Sequence, residues 1–241
     1  MTYAQRFYRT QLSTSGLTSF LVTVQETDLF ISADANYTAK AYDAVLQARM
    51  YIEQEIHDNP LFETSLCPLP IPDHVPPIIR EMLIAGAACS VGPMAAVAGA
   101  IAEYVGRALL AVSREVIVEN GGDIFVSVKR KITAAVFAGT SPLSHRIGIT
   151  IPPETTPLGI CTSSGTVGPS FSFGKADAVT VVADSAALAD AAATALGNRV
   201  VSRDDIAQTL VVARSIPGVR GVLIIVGDAL GAWGDIHLVE I

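Results

Sequence analysis

The sequence predicts an α+β fold with largely antiparallel sheets and paired Ala/Gly-rich helices, and three observations carry that expectation. Strand-like runs come in groups and helical runs in pairs, without strict β-α-β alternation. Half of the 241 residues are hydrophobic and only 16% are charged, which gives the chain a sizeable core to bury. The helical runs are built on Ala and Gly, which supply 11 of the 21 residues between 82 and 102, so those helices can approach one another closely.

The elements follow in order. Alternation marks residues 6–12 and 19–26 as strands with a Ser15-Gly16 turn between them, and residues 28–32 as a third short strand. Helical spacing of Tyr42, Val45, Leu46, Ile52 and Ile56 predicts a helix over about 37–57, capped by Asn36 or Asp34. Six of the 13 prolines fall between Pro60 and Pro77, so that stretch reads as an irregular linker or crossing loop. Two Ala/Gly-rich helices over about 77–111 follow, broken at Gly92-Pro93. Strands are expected at 115–119, 124–129, 132–138, 146–151, 158–162 and 178–183. Helices over 184–197 and 202–215 come next, then strands at 221–226 and 235–240 separated by the segment 227–231. We read residues 1–241 as a single domain; two blocks of strands around paired helices point to pseudo-repeated halves, about 1–115 and 116–241.

Composition excludes several classes. A net charge of −7 argues against a nucleic-acid binder, because phosphate contacts need a basic field, and Lys129-Arg130-Lys131 reads as a solvated turn. Residues 82–102 are long enough to span a bilayer, but Ser90, Gly92 and Pro93 interrupt them and large aliphatics are few, so a buried helix pair is expected. The first residues lack the apolar core of a signal peptide, and three scattered cysteines (Cys67, Cys89, Cys161) offer no disulfide framework; both fit a cytoplasmic protein. The four histidines are far apart, and Cys161 reads as a small core residue rather than a nucleophile.

Three motifs carry possible chemistry. Glu119-Asn120-Gly121-Gly122-Asp123 sits between two strand runs. It is either a tight hairpin whose glycines accept positive φ, or a place where a ligand meets the backbone with Asn120 and Asp123 as polar partners. Thr162-Ser163-Ser164-Gly165-Thr166 ends a strand and is either a polar turn or a set of O–H and N–H donors for a phosphate. Asp190 and Thr194 lie four apart on one helix face among alanines, so a carboxylate in a crowded place needs a partner. A hard cation bound by Asp190 and Thr194 would meet that need; an arginine paired with Asp190, with Thr194 bonded back to its own helix, would meet it equally.

Taken in order, these motifs resemble the ApbE family, the magnesium-dependent FAD:protein FMN transferases, whose fold is related to the T-fold. The matching residues are Gly121-Gly122-Asp123, Arg146-Ile147-Gly148-Ile149, Thr162-Ser163-Ser164-Gly165, Ala178-Val179-Thr180-Val181 and the helix from Ala189 to Ala195. The resemblance is specific over about residues 115–200. It implies Mg²⁺ or another hard divalent cation held by Asp190 and Thr194, with a backbone carbonyl near Ser90-Val91-Gly92. It also implies a phosphate-bearing ligand such as FAD or FMN, held by Asn120, Gly121, Gly122, Asp123, Thr162, Ser163, Ser164 and Gly165, and a protein acceptor as partner.

The chain departs from the family in two places. Gly92-Pro93 stands where the transferases carry Lys-Gly, and Gly168 to Gly174 bridges to the next strand where they carry His-Ile-Ile-Asp-Pro. The resemblance is therefore to a divergent, shorter branch. Two functions stay open: a metal-dependent flavin or phosphoryl transferase with altered chemistry, or a non-catalytic ligand-binding or structural homologue that uses its Ala-rich helices for homo-oligomer packing.

Overall fold

The computed structural model describes residues 16–165 and 173–241. The strand expected at 6–12, Ser15 of the first turn, Thr166 and most of the 168–174 bridge lie outside the described residues. The fold is a mixed, mostly antiparallel one. Eight strands form the main sheet in the order β1 (Thr18–Val24), β2 (Thr27–Ala33), β3 (Val116–Asn120), β4 (Asp123–Ser127), β7 (Leu158–Ser163), β8 (Ala178–Ala183), β9 (Val219–Val226) and β10 (Ala229–Gly234). Every pair in it is antiparallel. A second sheet of β11 (His237–Glu240), β6 (Ile147–Ile151) and β5 (Ile132–Ala135) is also antiparallel.

Because alternate strand residues face opposite ways, the main sheet has two buried faces. One packs on the small sheet through Ile117, Val126, Leu158, Ile160, Leu223 and Ile149. The other packs on helices: α1 (Thr38–Asp58), α3 (Pro77–Cys89), α4 (Val97–Leu110), α5 (Ala186–Gly197) and α6 (Ile206–Ala213). The Ala content decides the second interface. Ala186, Ala187, Ala189, Ala191, Ala192 and Ala193 of α5 are all buried, so small side chains occupy almost the whole circumference of that helix.

The apolar stretch bends by 105° between α3 and the segment that begins at Pro93, and no single described helix is long and apolar enough to cross a membrane. Ser90 ends α3 at φ 60, in the left-handed region, and a 3₁₀ turn over Pro93–Ala96 leads into α4.

Four local expectations need correcting. The proline-rich crossing holds one short helix, α2 (Leu61–Thr64), whose Phe62 is buried in the core and repays the ordering of that turn. The segment 227–231 is not a simple separator: after the turn at Gly227, Ala229–Gly234 pairs with β9 as β10. The helix expected over 202–215 is a 3₁₀ turn, Arg203–Asp205, followed by α6. The cap of α1 is displaced by one residue: Tyr37 holds the N-cap position, Asn36 accepts from the Thr38 N–H at 2.9 Å, and Asp34 accepts from the Arg114 N–H at 2.8 Å.

Candidate functional site

The site begins with a hairpin. β3 and β4 meet through a two-residue turn in which Gly121 and Gly122 both have positive φ, 69° and 109°, a conformation that selects glycine. A side chain at Gly121 would meet nothing within 4 Å, so the turn is open to approach. Asn120 and Asp123 pair across it and share one face of the sheet, the helix-covered one. Asn120 donates from Nδ2 to the Ala98 carbonyl at 3.0 Å, which ties the turn to the start of α4. Glu119, buried, accepts from the Gly122 N–H at 2.8 Å and stiffens the turn from the other side.

Asp190 reaches the same place from α5. Its Oδ2 accepts from the Gly99 N–H at 2.9 Å, and the Ala98 N–H also donates to it. The first turn of a helix leaves its N–H groups unpaired and carries partial positive charge, so the start of α4 is a natural seat for a carboxylate. This replaces the arginine in the sequence reading: among the described residues Asp190 finds its partner in backbone, not in a basic side chain. Gly99 makes the approach possible, since a Cβ there would fall on the Ala186 carbonyl and 2.9 Å from the Asp190 Cβ.

Asp123 completes the cluster, with the Cys161 thiol and the Thr162 N–H bonded to its carboxylate. Burial, then the charges of Asp190 and Glu119, hold the Asp123 carboxyl well above the usual carboxylate range. Burial also pushes Asp190 up, to about 7, against the two backbone donors that pull it down. The thiols are not nucleophiles here. Burial, followed by the Asp190 charge, pushes Cys89 up to about 12. Cys161 is raised well above its ordinary value by burial and then by Asp123, and its single S–H proton is shared between that carboxylate and the Ala186 carbonyl, 3.3 Å away.

The hydroxyls of the 162–165 segment do not converge. Strand alternation sends Thr162 and Ser163 to opposite faces: Thr162 Oγ1 bonds Thr180 Oγ1 at 2.9 Å, whereas Ser163 lies against Gly197 at the end of α5. Ser164 is half-buried, and Gly165 is exposed with its N–H on the Ala176 carbonyl. Thr194 lies one turn beyond Asp190 on α5, half-buried. Asn120, Gly122, Asp123, the Thr162 backbone and Asp190 are thus brought together, while the Thr162 hydroxyl is turned away.

Among the described residues no three His, Cys, Asp or Glu side chains form a ready metal cage. Asp123 and Asp190 nevertheless fit a hard cation: they are oxygen donors from separate elements, each raising the other's affinity for positive charge. Magnesium commonly takes one or two carboxylates and completes its shell with water and phosphate.

Sequence reasoning missed Glu119 as a participant, although a carboxylate two residues before a Gly-Gly turn is a readable signal. It also missed Glu103 of α4, which is 1% exposed and accepts from the Ala186 N–H, the first of α5, at 2.6 Å.

Known proteins share this fold. The apo form of the flavinyl transferase ApbE of Pseudomonas stutzeri is similar in fold, with a TM-score of 0.60 at 14% identity over 90% of this chain and 94% of that one. The ApbE protein of Thermotoga maritima gives 0.56 at 13% identity, over 89% and 96%. In sequence, the chain is 41% identical to a UPF0280 protein of Methanocella arvoryzae, over 88% of this chain and 86% of the relative. It is 42% identical to one of Methanocaldococcus jannaschii, over 89% and 90%. Residues 9–218 match the family model described as AbpE bacteria, and the chain belongs to that family.

Proposed function

We propose that the chain binds a flavin or another phosphate-bearing nucleotide together with a divalent cation, as a flavin-transferase-type protein of the ApbE fold. The observation that carries this reading is the Asp123/Asp190 pair. Two carboxyls with raised proton affinity sit beside an open Gly-Gly turn, with backbone donors as their partners. A bound cation would neutralise them and the charge of a phosphoryl group. The chain's own residues supply the rest. Ala98 and Gly99 orient Asp190, and the Asn120 amide holds the turn against α4.

The test is incubation with FAD and Mg²⁺, reading nucleotide binding, release of AMP and labelling of a protein acceptor. Binding that requires the cation and disappears in Asp190→Asn supports the reading; absence of both binding and AMP release refutes it. A second reading, ligand binding without transfer, is favoured by Gly92-Pro93 in place of Lys-Gly and by the missing His-Ile-Ile-Asp-Pro segment. It predicts cation-dependent binding with no AMP.

A further inference from the structure

We infer that Glu103 is the positioning residue of this site, setting the height of Asp190 on α5 through a reciprocal exchange of caps between α4 and α5. The inference rests on the proposed cation site at Asp190.

The two helices trade carboxylates. Asp190 of α5 accepts from the Gly99 N–H in the first turn of α4 at 2.9 Å. Glu103 of α4 accepts from the Ala186 N–H at the first position of α5 at 2.6 Å. Gly99 to Glu103 is one turn along α4, and Ala186 to Asp190 is one turn along α5, so the bonds are two rungs about 6 Å apart on antiparallel helices. Gly99 is one end of the first rung, and the clash a Cβ there would make with both Ala186 and Asp190 measures how closely the backbones meet.

Glu103 is 1% exposed, and its other oxygen, Oε1, is held by Arg107 one turn on. Buried ligand-supporting bonds of this kind fix where a ligand points. Ser185 caps the same end of α5 by accepting from the Leu188 N–H at 3.1 Å, so Glu103 is not needed to begin the helix. What Glu103 adds is register against α4, the element that supplies the Asp190 donors and the Ala98 carbonyl bound by Asn120.

The experiment is titration of the whole chain with Mn²⁺ alone, reading free ion by electron paramagnetic resonance, for wild type, Glu103→Gln, Glu103→Asp and Asp190→Ala. Glutamine keeps length and an acceptor for the Ala186 N–H, so its affinity stays within about threefold of wild type; aspartate retracts the acceptor by one methylene and weakens binding about tenfold. Loss in Glu103→Asp with rescue in Glu103→Gln is the expected result, since simple loss of packing would not distinguish the two by acceptor position. Wild-type affinity in Glu103→Asp, or equal loss in both variants, overturns the positioning role. Wild-type affinity in Asp190→Ala overturns instead the cation site on which it rests.

Discussion

The two faces of the main sheet are buried in different ways, and the contrast explains where chemistry can sit. On the small-sheet side Ile117, Val126, Leu158, Ile160, Ile149 and Leu223 fill the gap with large aliphatic side chains. Both layers there spend their strand N–H groups on pairing, so the buried Glu119 of that face finds its donor outside the ladder, in the Gly122 N–H of the turn. On the helix side the filler is alanine, the backbones come close, and helix starts offer unpaired N–H groups. Asp123, Asp190 and Glu103 all lie on this side. Helix starts on the Ala-rich side therefore seat Asp190 and one oxygen of Glu103 on backbone N–H groups, while Arg107 holds the other oxygen of Glu103.

The sharpest way to break the contrast is to add bulk on the helix side. Gly99→Val places a branched side chain on the Ala186 carbonyl and Asp190, and should cost about 3 kcal/mol or more in urea unfolding and abolish cation binding. Removal of bulk on the other side is the counterpart. Ile149→Ala, fully buried between the sheets, should cost about 3 kcal/mol yet leave Mn²⁺ affinity at its wild-type value once the protein is folded.

The charge on the helix side gives a pH signature. Unfolded Asp190 releases its proton near the ordinary 3.8, whereas the folded protein holds it until about 7. The folded state thus binds more protons across that window, and stability without a cation falls as pH rises from about 4 to 7. Asp190→Asn should reduce that slope, leaving the part owed to Asp123, and raise stability at pH 8 by about 2 kcal/mol, measured by thermal or urea unfolding with a chelator present. The smallest effect is expected at the turn that opens α6. Ser202→Ala removes the box in which Ser202 Oγ caps Asp204 and Asp205 caps Ser202; it should cost about 1 kcal/mol and leave Mn²⁺ binding unchanged.

Periodicity made most of this fold legible. β1 alternates, β3, β8 and β9 stand out as short apolar runs buried on both faces, and the break at Gly92-Pro93 could be read from residue type alone. β10 was hidden because Ala229–Gly234 contains two glycines and two alanines, which carry no alternation, and Gly227-Asp228 beside it reads as a turn. In the site, an Asp among alanines announced Asp190, and Gly121-Gly122 announced the turn. The partner of Asp190 was not readable, since every residue but proline carries an N–H and only the fold decides which ones are left unpaired. Glu103 was hidden for a related reason: four residues before Arg107, it looks like one half of a surface ion pair. It is 1% exposed, and the backbone N–H it accepts from lies in α5, more than 80 residues later.

That separation has a consequence for synthesis. The Gly99–Asp190 bond spans 91 residues, and α3 and α4 leave the ribosome long before β7, β8 and α5 exist to cover them. At about 5–20 residues per second, the bent apolar pair waits roughly 5–20 s for its lid. Throughout that interval the nascent chain presents an Ala-rich surface of membrane-like hydropathy, with the Glu103 carboxylate still without its α5 donor. Only the arrival of the last third of the polypeptide converts it into the interior of a protein.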